Sequence, residues 1–357
     1  MVIDNRLLTI GPLAIGFPVV QAALSGYSDR AMRVIARRLG APYTLCEVVL
    51  DKLVLQGGKR LRRMMHPGDD EHPVGGQLMG SDPAEFGPAA AEMAAAGFDC
   101  IDINFGCPVK KVLGRCRGGF LLSEPRTALE IVSRVRDAVP PHVPVTVKMR
   151  RGTDDSALSR DRFFEIFDGA FDRGVAAATV HGRTVAQRYE GPSNWDFLRE
   201  VKSHARDRTV LGSGDLFTAR DCLEMIAQTG VDGVTAARGA IGNPWIFAHA
   251  RALAAGHPQP DAPTIHEQRD VIDEHYRLAE ELYGALRCSR QMRKFGIRYS
   301  QWHPDSRDVR EAFISLRDAN DWRAVLDRFY RIDGAGSAEP LCADGVAAAS
   351  AECLDAV

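Results

Sequence analysis

No stretch of this 357-residue chain approaches the ~20 uninterrupted apolar residues that a membrane span requires. Its opening residues, MVIDNRLLTIGPLAIGF, lack the basic start and the small-residue cleavage site of a secretory signal, so the chain is expected in the cytoplasm. Cysteine is sparse. The eight thiols, at positions 46, 100, 107, 116, 222, 288, 342 and 353, form no C-x-x-C pair, and a chain of this length needs no disulfide staples, so reduced thiols are expected. No second Cys or His stands at ligand spacing near Cys107, so no metal is expected there. Net charge is also nearly absent, at −2, which taken alone argues weakly against a nucleic-acid partner.

That average hides unequal segments. Asp333 to Val357 carries five acidic residues and no Lys or Arg, so of the chain's 45 basic and 47 acidic residues the remainder keeps 45 against 42, a charge of +3. Arg30 to Arg63 holds nine basic residues and two acidic ones, and Ala285 to Arg331 eleven against six. Two basic clusters, with a further basic loop at Lys110, Lys111, Arg115 and Arg117, point to an anionic polymer as partner. No obligatory protein partner is evident.

Short β-like runs alternate with helical patterns eight times. The runs are PVVQAAL (18 to 24), YTLCEVV (43 to 49), GGQLMG (75 to 80), CIDINFG (100 to 106), PVTVKMR (144 to 150), AATVHG (177 to 182), TVLGSGD (209 to 215) and GVTAARG (233 to 239). Eight β/α units close on themselves, whereas a doubly wound sheet normally has fewer strands, so the fold class expected is α/β, a (β/α)8 TIM barrel over residues 1–253. A Pro-rich linker, 254–264, leads to helical patterns over 265–332, read as a small C-terminal helical domain. The Ala/Gly/Ser-rich acidic stretch 333–357 lacks hydrophobic periodicity and is expected to be disordered.

In a TIM barrel the chemistry sits where strands end. The residues there are Gln77, Asn104 with Cys107, Lys148 with Arg150, His181 with Arg183, Ser213, Gly214 and Asp215, and Arg238 with Gly239. The two late Gly-rich turns, GSGDL and ARGAIGNPW, occupy the position where many barrels bind phosphate through backbone N–H groups, and Arg238 adds an ion-pairing group. Cys107 stands in N-x-G-C-P, where Gly106 permits unusual dihedrals and Pro108 stiffens the exit, so a thiol is fixed at the barrel mouth.

On these residues the chain resembles the tRNA-dihydrouridine synthases, flavin enzymes that reduce uridine in tRNA. The matches run from about 18 to 331 and include LSGYSDRAMR, GQLMG, DINFGCPVKKV, GGFLL, VKMRRG, HGRTVAQRYEGPSNW, RGAIGNPW and RQMRKFGIRY. The resemblance implies FMN as cofactor, with Gln77, Lys148 and His181 around the flavin and Ser213, Gly214, Asp215, Arg238 and Gly239 at its phosphate. It implies NADPH as reductant, Cys107 as proton donor, and Asn104, Arg150 and Arg183 at the uracil. Lys110 and Lys111 are expected to gather the RNA backbone, and the helical domain to bind tRNA. Ala23 and Leu24, Phe120 and Ser213 depart from the family pattern without removing the acid. Two other readings stay open: a flavin barrel reducing a free pyrimidine, as dihydroorotate dehydrogenases handle the same double bond, and an RNA-binding relative without turnover.

Overall fold

The computed structural model describes residues 7–58 and 65–337. Eight parallel strands close a barrel in the order of the chain: β3 (Val19–Gln21), β4 (Thr44–Leu50), β5 (Val74–Met79), β6 (Cys100–Phe105), β7 (Val145–Arg150), β8 (Ala177–His181), β9 (Thr209–Ser213) and β10 (Gly233–Ala236), with β10 returning to β3. All eight coincide with the runs read from the sequence to within a few residues at each end.

Side chains along a strand point alternately to opposite faces, and paired residues of parallel neighbours share a face. The register aligns Gln77 with Asp102 and Thr146, Asn104 with Lys148 and Thr179, and Arg150 with His181 and Ser213. These polar residues therefore stack inside the barrel. The intervening Ile101, Ile103, Val145, Val147 and Val180 are fully buried and belong to the core beneath the surrounding helices. Each strand thus carries a dry outer face that holds it in the fold and an inner face free to carry chemistry.

One element was absent from the sequence reading. Strands β1 (Leu8–Ile10) and β2 (Leu13–Gly16) form an antiparallel hairpin, turned at Gly11 with φ +55°. Leu8, Ile10 and Ile15 pack with Val20, Tyr43, Leu45, Cys100 and Leu211 in a second buried cluster, which closes the barrel floor. Each of these side chains contributes roughly 1.5–3 kcal/mol by leaving water. The connection after β4, read only as basic and weakly patterned, begins with a helix Asp51–Gln56.

Beyond the linker, helices Ile265–Tyr283, Ala285–Tyr299, Ser306–Ser315 and Ala319–Phe329 follow. The first starts at a capping box in which Thr264 and Glu267 satisfy each other's backbone N–H groups. It lies against helix Arg30–Arg38, where Arg38 pairs with Glu274, and at its end the Tyr283 hydroxyl donates to Asp29 Oδ2 at 2.8 Å. The Trp302 Nε1–H donates to the Gly242 carbonyl at 3.0 Å, and its ring packs edge-on to Trp245 at 5.6 Å. Gly242, at φ +67°, could carry no Cβ, because that atom would lie 2.5 Å from the Arg298 backbone. The second half of ARGAIGNPW is thus a docking surface for the helices and not a phosphate loop.

The first residues of the acidic stretch are tied down. His266 N donates to Asp333, Ile265 N to the Gly334 carbonyl, and Ser337 N to the Trp302 carbonyl. The disorder expected over 333–357 therefore does not begin before 338, and its remainder lies outside the described residues.

Candidate active site

Gln77, Asn104, Cys107, Lys148, Arg150, His181, Ser213, Gly214, Asp215 and Arg238 all line one cavity at the C-terminal end of the barrel. Three inward layers and two turns bring them together. At its base Asp102 accepts from Gln77 Nε2 and Thr146 Oγ1, each at 2.6 Å, and burial raises its pKa. Above it Lys148 is half-buried, and loss of hydration lowers its pKa to about 8 against the opposing pull of Asp102.

Asn104 links this base to the thiol. Its Nδ2 donates to Gln77 Oε1 at 2.8 Å, while its Oδ1 accepts from the N–H groups of Gly106 and Cys107 at 2.9 and 3.0 Å. Both carbonyl lone pairs are used, which leaves at most one amide hydrogen for a substrate. From the other side the Gly118–Gly119 pair presses on Cys107. A Cβ on Gly118 would lie 2.8 Å from the Cys107 Cβ, and Gly119 N–H donates to the Cys107 carbonyl at 3.0 Å. The GG of GGFLL is therefore a backstop for the thiol. Burial raises the Cys107 pKa, opposed by the Val109 N–H, Arg150 and Lys148, so the group is a thiol and not a thiolate at neutral pH.

The Arg183 N–H donates to His181 Nδ1 at 3.1 Å, which assigns the imidazole proton to Nε2. Burial and the cations Arg150, Lys148, Arg183 and Arg238 hold the His181 pKa well below its ordinary value. It is a neutral hydrogen-bond donor. Gly214, at φ +114°, has no room for a Cβ beside Ser193 and His181, so bare backbone faces the cavity there. Arg238 lies over the rings of Tyr189 and Phe217, 5.1 Å from each centroid, with Asp215 Oδ1 at 3.5 Å.

Two expected residues take other places. Arg183 does not line the cavity: it is buried, with Nε on the Gly191 carbonyl at 2.8 Å and Nη2 on Asp215 Oδ2 at 2.7 Å. It braces Asp215, whose backbone sits in the left-handed region at φ +57°. Gly239 packs against the Leu216 carbonyl and Phe217, behind the cavity wall. Lys110 is exposed on the loop beyond Cys107, whereas Lys111 lines a second, adjoining groove. Arg150 does reach the cavity, but its guanidinium is largely spent on the carbonyls of Gly106, Thr184 and Arg188, at 3.0, 2.8 and 2.7 Å. Asp102, Thr146, Tyr189 and Phe217 were missed; for the first two the period-two pattern of IDINF and VTVKMR was the available signal.

The family model for dihydrouridine synthases matches residues 20–331. The chain belongs to the dihydrouridine synthase family. A probable tRNA-dihydrouridine synthase of Mycobacterium tuberculosis is 35% identical over 333 residues, covering 90% of this chain and 84% of the relative. The tRNA-dihydrouridine synthase B of Xanthomonas axonopodis pv. citri is 33% identical over 325 residues, covering 90% and 95%. Among solved structures, the old yellow enzyme homologue of Zymomonas mobilis superposes with a TM-score of 0.53 at 14% identity, over 72% of this chain and 94% of that one, which is a likeness of fold. Among the described residues no helix is long and apolar enough to cross a membrane, and no group of three or more His, Cys, Asp or Glu residues could hold a metal ion.

Proposed function

We propose that this family member reduces uridine in tRNA to 5,6-dihydrouridine, with FMN as cofactor, NADPH as reductant and Cys107 as the acid. The observation that carries the reading is the placement of the Cys107 thiol, fixed between Asn104 and the glycine backstop at the mouth of a cavity whose base holds Lys148 and His181. The residues lining the cavity suit a flavin. Lys148 would supply positive charge to a reduced ring, the Thr235 hydroxyl is buried in the wall without a partner, and Gly214 with Arg238 would offer backbone and guanidinium to a phosphate. A flavin bound there would supply the hydride for C6 of the uracil.

The chain's own part is to orient the base and to deliver the second proton. Addition at C6 leaves charge delocalised towards C5 and O4, and a protonated thiol beside C5 is acidic enough to give up its proton there. The Asn104 carbonyl, by holding the Cys107 N–H, fixes where that thiol stands. Its remaining amide hydrogen and the spare donor of Arg150 serve to hold the uracil carbonyls. Lys110, Lys111 and Arg115 beyond Cys107, with the basic helices of 285–331, would take RNA phosphates, giving salt-dependent affinity that offsets the few kcal/mol needed to unstack the uridine. A free-pyrimidine substrate would need neither feature. The cytoplasm, where tRNA is abundant, is the working place this reading proposes.

The test is direct. Purified protein loaded with FMN and supplied with NADPH should add two hydrogens to a uridine of tRNA, read by mass spectrometry of nucleosides. Reduction of free uracil or orotate with tRNA left untouched, or no bound flavin after refolding with excess FMN, would overturn it.

A further inference from the structure

Next to the cavity just described lies a larger groove of about 770 Å³, which shares Ser25, Val48, Cys107 and Val109 with it. Its volume exceeds what one nucleoside needs. The walls are aliphatic, formed by Val49, Leu50, Leu53, Met65, Met79 and Val112. Lys111 and Arg115, both exposed, stand on the loop that forms one edge, and Arg117 beside them has a buried Nε without a partner.

Two further groups aim polarity into the groove. Arg33 is 1% exposed; its Nε donates to Glu71 at 2.6 Å and its Nη1 to the Ser28 carbonyl at 2.9 Å, but its Nη2 is buried with no partner at all. A buried guanidinium N–H left unmade costs roughly 1–3 kcal/mol, so it waits for an acceptor. Glu47 lines the same groove; burial pushes its carboxyl up to about 7, so above that pH it stands as a carboxylate, which repels phosphate but accepts N–H donors.

Apolar walls, a basic edge, unmade guanidinium donors on Arg33 and Arg117, and the Glu47 carboxyl describe a site for a nucleobase with its phosphate. We propose that the groove holds a second nucleotide of the RNA, the immediate neighbour of the uridine presented to Cys107, and that its preferred base is guanine. Among the four bases only guanine offers a carboxylate two adjacent N–H donors, N1–H and N2–H, next to a carbonyl that a guanidinium can reach. Val49, Leu50 and Leu53 stand against the base, Lys111 and Arg115 take its phosphate, and Glu47 and Arg33 read its edge. Because the two cavities meet at Cys107, filling the groove also fixes the thread of the RNA that delivers the uracil.

This inference rests on the tRNA-reducing reading, and the experiment separates the two. The flavin-loaded, fully reduced enzyme is mixed with tRNA and with trinucleotides in which a central uridine is flanked by guanine, adenine or cytosine nucleotides or by abasic residues, and reoxidation is followed by absorbance. Base-flanked trinucleotides should react with about tenfold or greater kcat/KM over abasic ones, the gain expected of one stacked base, with guanine highest. Glu47→Gln should erase the guanine advantage over adenine. Leu53→Asp, at a half-exposed position that tolerates a polar group, should shrink the advantage of any base over the abasic residue by setting a carboxylate against the wall. Equal rates with abasic and base-flanked RNA while tRNA is reduced, or a guanine preference that survives Glu47→Gln, would overturn the groove assignment alone. Reoxidation by none of the RNAs would overturn the functional reading and the groove with it.

Discussion

Removing the Asn104 side chain tests how the thiol is placed. In the structure the Asn104 Oδ1 accepts from two consecutive loop N–H groups, those of Gly106 and Cys107. Asn104→Ala strips both bonds. At a net ~0.5–1.5 kcal/mol each, the loop loses about 1–3 kcal/mol of restraint, enough for the thiol to wander. A displacement of ~1 Å at a reacting group costs about 10²-fold, so single-turnover reduction of tRNA should slow by roughly 10- to 10²-fold. Cys107→Ala should slow it by ~10² to 10⁴, the loss of a positioned general acid. The decisive measurement is the double variant. If Asn104 acts chiefly through Cys107, adding Asn104→Ala to Cys107→Ala should cost clearly less than Asn104→Ala costs alone, because only its one amide hydrogen to the uracil is then lost and there is no thiol left to place. Stopped-flow reoxidation by tRNA, with cofactor content measured on the same samples, gives all four corners of the cycle. Fully additive losses, or a fall in cofactor occupancy that tracks the rate, would refute the positioning role.

Three other outcomes are expected. Lys148 has a folded-state pKa depressed to about 8, so its ammonium is lost as pH rises through that value and not near the ~10.4 of a free lysine; FMN affinity of the apoprotein should fall from pH 7 to pH 9, and a fluorescence titration flat across that interval would contradict the electrostatic role. Gly242→Ala places a Cβ 2.5 Å from the Arg298 backbone at φ +67°, and should lower stability by ~1–3 kcal/mol, read as a drop in Tm; a wild-type melt would show that the turn can give way. Ile10→Ala empties part of the barrel floor at a residue 3% exposed and should cost ~2–5 kcal/mol in a denaturant titration with cofactor-binding stoichiometry retained; an unchanged midpoint would mean the hairpin contributes little.

The barrel could be read from the sequence because eight β-like runs alternate with helical patterns, and two of those runs also obey period two. In IDINF and VTVKMR every second residue is apolar and the others are polar, so the outer and inner faces separate on inspection, and the polar members name the site. What could not be read was how each side chain spends its bonding capacity. Arg183 and Gly239 sit at the right strand ends, yet one is consumed by Asp215 and Gly191 and the other is pressed against Leu216, facts set by contacts between distant loops. Gly242 looked like part of a phosphate turn because a glycine needed for close approach of two elements has the same letter as one needed for a ligand. The floor hairpin was overlooked because it is short and its partners, Tyr43, Cys100 and Leu211, are scattered along the chain.

That hairpin also bears on the kinetics. With the barrel sealed below by Leu8, Ile10 and Ile15, the described residues leave the upper rim as the doorway, so whatever delivers electrons and whatever receives them would use it in turn. The two reactants then cannot be resident together at the reacting centre. Initial rates measured against both should give families of parallel lines in double-reciprocal form, each reactant at high concentration should inhibit by occupying the state meant for the other, and the oxidised reductant should inhibit competitively against the RNA.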